Sequence, residues 1–221
     1  MKKGKIINFE GMDYSFKETN SKKLCEYLIS LGYKTKLYTF PDYNLASSYY
    51  IKKYLAGEYG DATKLNGEIS ALFYATNIAD ALFIQNNIYD DLKEYDYIIM
   101  DRYVLSNIAF QCTKKDVNYY FIKALEHEAF NFPKEDIVIY MDMPVRYSHE
   151  LIKQRDLKNG KDIDQHESNY LYKLKVEKLY KKYLDRHKHC IIHCLDSNHN
   201  IKSEENIFDM IIYELSRNHI I

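Results

Sequence analysis

The chain has 221 residues, 46% of them hydrophobic, which is enough for a sizeable core, and it reads as a single domain over residues 1–221. A formal net charge of −1 argues against a surface devoted to nucleic acid, although small anionic ligands need only local charge. No apolar run approaches the roughly eighteen residues of a membrane span, and the Met-Lys-Lys start lacks a secretory apolar segment, so a soluble, cytoplasmic protein without membrane contact is expected.

The first element is the apolar run Lys5-Ile6-Ile7-Asn8-Phe9-Glu10, which ends at Gly11. From Glu18 onward, Leu24, Leu28 and Leu31 recur at helical spacing until Gly32, a helix stop. The intervening residues sit where a phosphate-binding loop sits. Such a loop runs Gly, four residues, Gly, Lys, then Ser or Thr, so that backbone amides cradle phosphates, the lysine reaches the outer pair and the hydroxyl holds magnesium. Gly11 and Lys17 keep that pattern, whereas Phe16 and Glu18 break it. Alone, the partial match also fits an ordinary strand-to-helix connection; the order strand, tight loop, helix favours the phosphate reading.

Four further runs read as strands: Lys36 to Phe40 before Pro41, Tyr97 to Met100 before Asp101, Ile137 to Met141 before Asp142 and Pro144, and Cys190 to Leu195 before Asp196. Helical stripes alternate with them. Ile69, Leu72, Phe73, Thr76, Ala79 and Phe83 form one, Tyr172, Val176, Leu179 and Tyr183 another, and Ile207, Met210, Ile211 and Leu215 a third, each expected to face the core. Buried strands joined by helices imply a parallel sheet, with right-handed crossovers setting all strand carboxyl ends along one edge, where ligands bind. The residues just past the strands are therefore the ones to inspect.

The run from His187 to Cys194 offers three histidines and two cysteines, but structural zinc draws on separated ligand pairs on loops. This run reads as a buried strand in which cysteine behaves as a small apolar residue. With Cys25 and Cys112, the four cysteines are too few and scattered for a disulfide framework and fit a reducing compartment.

Several strand ends resemble one family, the thymidylate kinases among the P-loop nucleoside monophosphate kinases. The segments that carry the likeness are Phe9-Glu10-Gly11-Met12-Asp13, Phe40-Pro41, the fairly specific Asp101-Arg102-Tyr103-Val104-Leu105-Ser106-Asn107, and Tyr140-Met141-Asp142-Met143-Pro144 followed by Lys153-Gln154-Arg155. The resemblance implies an α/β, three-layer P-loop NTPase fold: a five-stranded parallel sheet with helices on both faces and a short lid at about residues 153–166. It also implies ATP and Mg2+ as cofactors, small-molecule nucleotides as partners, transfer of the ATP γ-phosphate to a deoxynucleoside monophosphate, dTMP first, and a homodimer.

Phosphoryl transfer needs two phosphates held in line and the charge between them neutralised. Lys17 is the candidate for the ATP β- and γ-phosphates, within a loop of Gly11, Tyr14, Ser15, Phe16, Lys17, Glu18 and Thr19. Arg102 is the candidate for a bidentate grip on the acceptor phosphate, and as a plain structural residue it would instead pair with Asp101. Arg155, with Lys153, Lys158 and Lys161, would form a basic lid around the polar stretch Asp156 to Asp164. By resemblance, Asp13 lies near the acceptor sugar and magnesium, with Glu18 as a second magnesium carboxylate. Tyr74 stacks on the base, Asn107 bonds its edge, and Phe110 presses where a 2′-hydroxyl would be. Phe40, Pro41, Ile78, Ser106 and Gln111 complete the expected acceptor site.

The chain departs from the family at informative places. Tyr14 and Phe16 stand where glycine is usual, and Glu18 where a small or hydroxyl residue is usual. Ile78 replaces an arginine that serves the base carbonyl, and Asp42, Tyr43 and Asn44 occupy the place of another cation. Two other readings therefore stay open: a kinase of the same fold with a different nucleotide or nucleoside acceptor, and a nucleotide-binding protein without catalysis.

Overall fold

Alternation along each strand sends successive side chains to opposite faces, so inner strands covered on both sides are largely apolar at successive positions. The computed structural model, which describes residues 4–148, 150 and 169–221, has this arrangement. In chain order it comprises β1 (Lys5–Gly11), α1 (Lys17–Ser30), β2 (Thr35–Thr39), α2 (Tyr49–Leu55), α3 (Gly67–Ala79), α4 (Ile88–Glu94) and β3 (Tyr97–Asp101). There follow α5 (Val104–Gln111), α6 (Tyr119–Lys123), β4 (Ile137–Asp142), α7 (Tyr170–Leu184), β5 (His189–His193) and α8 (Glu204–Arg217). The strands form one five-stranded parallel sheet in the order β2-β3-β1-β4-β5. Among the described residues no helix is long and apolar enough to cross a membrane.

Ile6, Ile98, Met100, Val138 and Tyr140 feed a cluster shared with α3, α4, α5 and α7. Their neighbours Ile7, Phe9, Ile99, Ile139 and Met141 feed a second cluster shared with Leu24 and Leu28 of α1 and Ile207, Ile211 and Leu215 of α8. The result is three layers, with the central strand β1 carrying its following loop to the middle of the carboxyl edge. The His187 to Cys194 run is mostly β5: Cys190 and Cys194 are buried, and the His187 Nδ1 pairs with Glu135.

Helix α3 corrects one expectation. Ile69 and Leu72 are exposed (46% and 40%), as is Thr76, while Ser70, Ala71, Ala75 and Ile78 are buried. The helix is apolar nearly all round, so periodicity cannot select its inner face; small residues face the core because α3 packs closely on α5. Leu31 likewise lies past the end of α1 and is exposed. Arg155, Lys153, Lys158, Lys161 and the whole of the expected lid at 153–166 lie outside the described residues.

The helix starts reveal where the site lies. Asn66, Asn87, Asn118, Asn169 and Ser203 each cap their own helix through the side chain. Helix α2 lacks such a cap on Ser48, and so do α1 and α5 on Phe16 and Tyr103, the last two beginning at the carboxyl edge beside β1 and β3. Their amides are left for other partners.

Candidate active site

The loop between β1 and α1 keeps a left-handed curl without its glycines. Tyr14 and Phe16 hold φ values of 59° and 64°, a conformation that costs a side-chain-bearing residue roughly 1–2 kcal/mol. The Phe16 ring packs against the cluster between the sheet, α1 and α8, so its bulk is taken up by the core. Gly11 has no substitute: at φ +148° an added Cβ would lie 2.8 Å from both the Met141 carbonyl oxygen and Ser15 Oγ.

Three features of this loop suit an anion. The first-turn amides of α1 carry the positive end of the helix dipole and have no side-chain cap from Phe16. Lys17 is buried, with Nζ 3.3 Å from the Met12 carbonyl oxygen, and burial together with the nearby Arg102 charge lowers its pKa to about 8. Ser15 Oγ is buried with no hydrogen-bond partner among the described residues. Thr19 is exposed on α1, and Glu18 is exposed and held by Lys22 Nζ at 2.7 Å. Asp101, at the end of β3, was not among the expected site residues; burial raises its pKa, and its Oδ1 has no partner among the described residues.

Arg102, itself at φ 67°, turns the chain from β3 toward α5 and sends its guanidinium across the edge. Nη2 donates to Asp13 Oδ1 at 2.5 Å, and Nη1 donates to the Gly11 carbonyl, Ser106 Oγ and the Tyr180 hydroxyl at 3.1, 3.2 and 3.1 Å. The ion pair thus goes to Asp13, not to the adjacent Asp101. The guanidinium also lies 5.4 Å from the Phe110 ring centroid.

Beneath it sits Glu10, fully buried, whose carboxylate accepts from Asn8 Nδ2, the Tyr103 and Ser106 amides, Ser106 Oγ and the Tyr180 hydroxyl. Burial raises its pKa, opposed by these donors and by Arg102. Glu10 supplies the cap that α5 lacks and gives Arg102 a counter-charge. Sequence reasoning assigned no role to Glu10 or Tyr180. A buried carboxylate one residue before the loop glycine was a visible signal; Tyr180, 170 residues from Glu10, left none.

Next to Arg102 opens a cavity of about 640 Å³ including its mouth. Its lining includes Asp13, Arg102, Ser106 and Phe110, Phe40 and Pro41 at the end of β2, and Tyr74, Ile78, Asn107 and Gln111. The structure thus brings together all ten residues expected at the acceptor site, from four separate chain segments. Tyr43, Leu55 and Tyr103 line it too and were not expected. Asn77, another unexpected residue, pins the loop after β2 to α3: its Oδ1 accepts from the Asp42 amide at 2.8 Å and its Nδ2 donates to the Asp42 carbonyl at 3.0 Å.

The chain matches the family model described as thymidylate kinase over residues 9–207. It is 29% identical to the thymidylate kinase of Schizosaccharomyces pombe over 144 residues, covering 65% of this chain and 63% of that protein. It is 30% identical to a probable thymidylate kinase of Pyrococcus horikoshii over 154 residues, 69% of this chain and 72% of that one. The chain spans a little under two-thirds of the fission-yeast relative and of the Plasmodium falciparum thymidylate kinase, 63% and 65%. A solved thymidylate kinase from Candida albicans superimposes with a TM-score of 0.71 at 20% identity, covering 99% of this chain and 93% of that one, and shows the same fold.

Proposed function

Because this chain belongs to the thymidylate kinase family, we propose that it transfers the γ-phosphoryl group of ATP to a deoxynucleoside monophosphate, dTMP in the first place, yielding the diphosphate and ADP. The observation that carries this reading is the meeting of the Gly11–Lys17 loop and the acceptor-sized cavity at one guanidinium, Arg102, which touches both. An oxygen of the acceptor phosphate attacks the γ-phosphorus as the bond to the β-phosphate oxygen breaks, and ADP leaves; the protein's task is alignment and charge neutralisation.

In this scheme the α1 amides, Ser15 and Lys17 grip the donor phosphates, and Arg102 takes the acceptor phosphate in a fork. Asp13, on the other side of Arg102, meets the acceptor sugar. Tyr74 stacks on the base, Asn107 bonds its edge, and Phe110 presses on the sugar and disfavours a 2′-hydroxyl. Arg155 belongs to the scheme as a lid cation. The orphaned, buried Oδ1 of Asp101 beside Lys17 fits a magnesium ion, with Glu18 and Asp13 as further carboxylates once Lys22 and Arg102 release them. Bound magnesium supplies positive charge between the phosphates.

We also place the protein in the cytoplasm, where its four free cysteines stay reduced, and propose a homodimer built on the exposed face of α3, where Ile69 and Leu72 face solvent and Tyr50 stacks on Phe73 at 5.4 Å.

A coupled assay for ADP formation, with ATP, magnesium and a panel of dTMP, dUMP, dCMP, purine deoxynucleotides and thymidine, tests the activity. Turnover of dTMP above the others is expected. Turnover of another acceptor alone would favour the same-fold alternative, and none at all would leave a nucleotide-binding protein.

A further inference from the structure

A phenylalanine would satisfy the packing of Tyr180. The side chain is wholly buried where α7 packs on α5, with its ring edge-on to Phe110 at 6.2 Å and tilted against Tyr140 at 5.6 Å. A hydroxyl in such a place destabilises the fold unless its bonds are met, since a buried polar group left unpaired costs about 1–3 kcal/mol. Three groups meet it: Arg102 Nη1 at 3.1 Å, Ser106 Oγ at 2.7 Å and Glu10 Oε2 at 3.1 Å.

The direction of each bond follows from the chemistry of the partners. A guanidinium only donates, so Tyr180 presents a lone pair to Nη1. A carboxylate only accepts, and Ser106 Oγ lies 2.5 Å from Glu10 Oε2, so the serine hydrogen is committed to Glu10. The contact between the two hydroxyls must then carry the tyrosine hydrogen, which points toward Ser106 and Glu10 and away from Arg102. The phenol is thus turned with its acceptor side to the guanidinium.

Nη1 has two hydrogens and three acceptors, the Gly11 carbonyl, Ser106 Oγ and the Tyr180 hydroxyl, one each from β1, α5 and α7. Acceptors from three separate elements fix the plane of the guanidinium. Nη2, in contrast, donates to Asp13, which lines the cavity. One end of the fork is tied into the fold and the other meets the ligand space. We propose that Tyr180 is a positioning residue for the acceptor phosphate: its hydroxyl, oriented by Ser106 and Glu10, holds the Nη1 end of Arg102 so that the Nη2 end stays aligned for the phosphate. The inference rests on the kinase reading and concerns the phosphate end of the acceptor. Tyr180 is not in the cavity lining among the described residues, so it acts through Arg102. Without the hydroxyl the guanidinium keeps its charge but loses one of the three ties that set its plane, and a bidentate grip depends on that plane.

The test compares dTMP with thymidine, which differs only in lacking the phosphate, by calorimetric titration of the parent protein, Tyr180→Phe, Arg102→Ala and the double variant. Tyr180→Phe should narrow the ratio of dTMP to thymidine affinity roughly tenfold, the scale of one hydrogen bond to a charged group, and leave thymidine affinity unchanged. The dTMP KM should rise by a similar factor while the ATP KM stays put. Adding Tyr180→Phe to Arg102→Ala should change dTMP affinity no further, because the group it acts on is gone. Tyr180→Met also removes the hydroxyl, fills the space with a pliable side chain, and answers the question if the phenylalanine variant does not fold. Equal losses of dTMP and thymidine affinity would mean that Tyr180 only packs, and an unmoved ratio and dTMP KM in both variants would mean that its hydroxyl is idle. Either result, with an active parent, overturns this inference alone. A parent that turns over no monophosphate overturns the kinase reading and this inference with it.

Discussion

Arg102 and Asp13 form a 2.5 Å ion pair that bridges the end of β3 to the loop after β1, in the lining of the cavity. The pair is partly exposed, and its other members are fixed: Gly11, Ser106 and Tyr180 hold the second guanidinium nitrogen. Arg102 is thereby held by protein groups alone, and in the proposed scheme the acceptor phosphate takes the place of Asp13 on it.

Arg102→Ala should lower kcat/KM for the acceptor at least about a hundredfold, the scale of losing one preorganised electrostatic donor, while the KM for ATP changes little. Arg102→Lys should recover little, because a point charge cannot replace a fork. Steady-state kinetics with each substrate varied in turn checks this; a change confined to ATP would mean the two sites are exchanged.

Lys17→Ala should cut turnover at least about a hundredfold. Its pKa also predicts a proton effect. With the free-state ammonium lowered to about 8, Lys17 loses its proton as pH rises through that value. A triphosphate favours the charged form, so its binding must draw a proton from solution above about pH 8 and almost none near pH 6.5. Calorimetry in buffers of different ionisation enthalpy measures this uptake, and it should vanish in Lys17→Ala.

Gly11→Ala meets backbone, not a yielding side chain: the Met141 carbonyl sits 2.8 Å from the new Cβ, and φ +148° is closed to alanine. We expect a loss of about 1–3 kcal/mol in stability and at least about tenfold in triphosphate affinity. Chemical denaturation and nucleotide titration give the two numbers. Retention of both would show that the loop relaxes.

Glu126, wholly buried under Asn107, has its pKa pushed up to about 8 by burial. Between the ordinary value of 4.5 and about 8 the folded chain keeps a proton that the unfolded chain has released, so unfolding is favoured as pH rises. The stability contributed by this group is full below about 4.5 and is lost as pH climbs through about 8. Glu126→Gln retains the acceptor for Asn107 and has no proton to lose. Its melting temperature relative to the parent should therefore climb steadily from about pH 5 to about pH 9; a constant difference would rule out Glu126 as the titrating group.

Leu72→Glu places a charge on the exposed apolar face of α3 and should convert the proposed dimer to a monomer, read by sedimentation velocity, with less than about 0.5 kcal/mol of change in monomer stability. A parent that sediments as a monomer removes the proposal.

The strands and the site-bearing turns were legible because their signals are local. Short apolar runs that end at Gly11, Pro41, Asp101 and Pro144 mark strands whose ends share an edge, and Asp101-Arg102-Tyr103 announces itself within three residues. The face of α3 was not legible, since Ile69 and Leu72 look no different from Ile78 until α5 is packed against one side. Tyr180 gives no sign of its role either, being joined to Arg102 only where α7 packs beside α5.

Residue order alone thus settled the chain's α/β class, its five strands and the turn that carries Lys17, because periodicity and turn chemistry act over a few neighbours, while the family resemblance named positions that line the cavity. Tertiary packing decided which partner Arg102 takes, that Glu10 caps α5, that Tyr14 and Phe16 bear a glycine-like curl, and which way the Tyr180 hydroxyl points. Those outcomes depend on hydrogen-bond direction and burial between segments up to 170 residues apart, and neither quantity exists until the layers close.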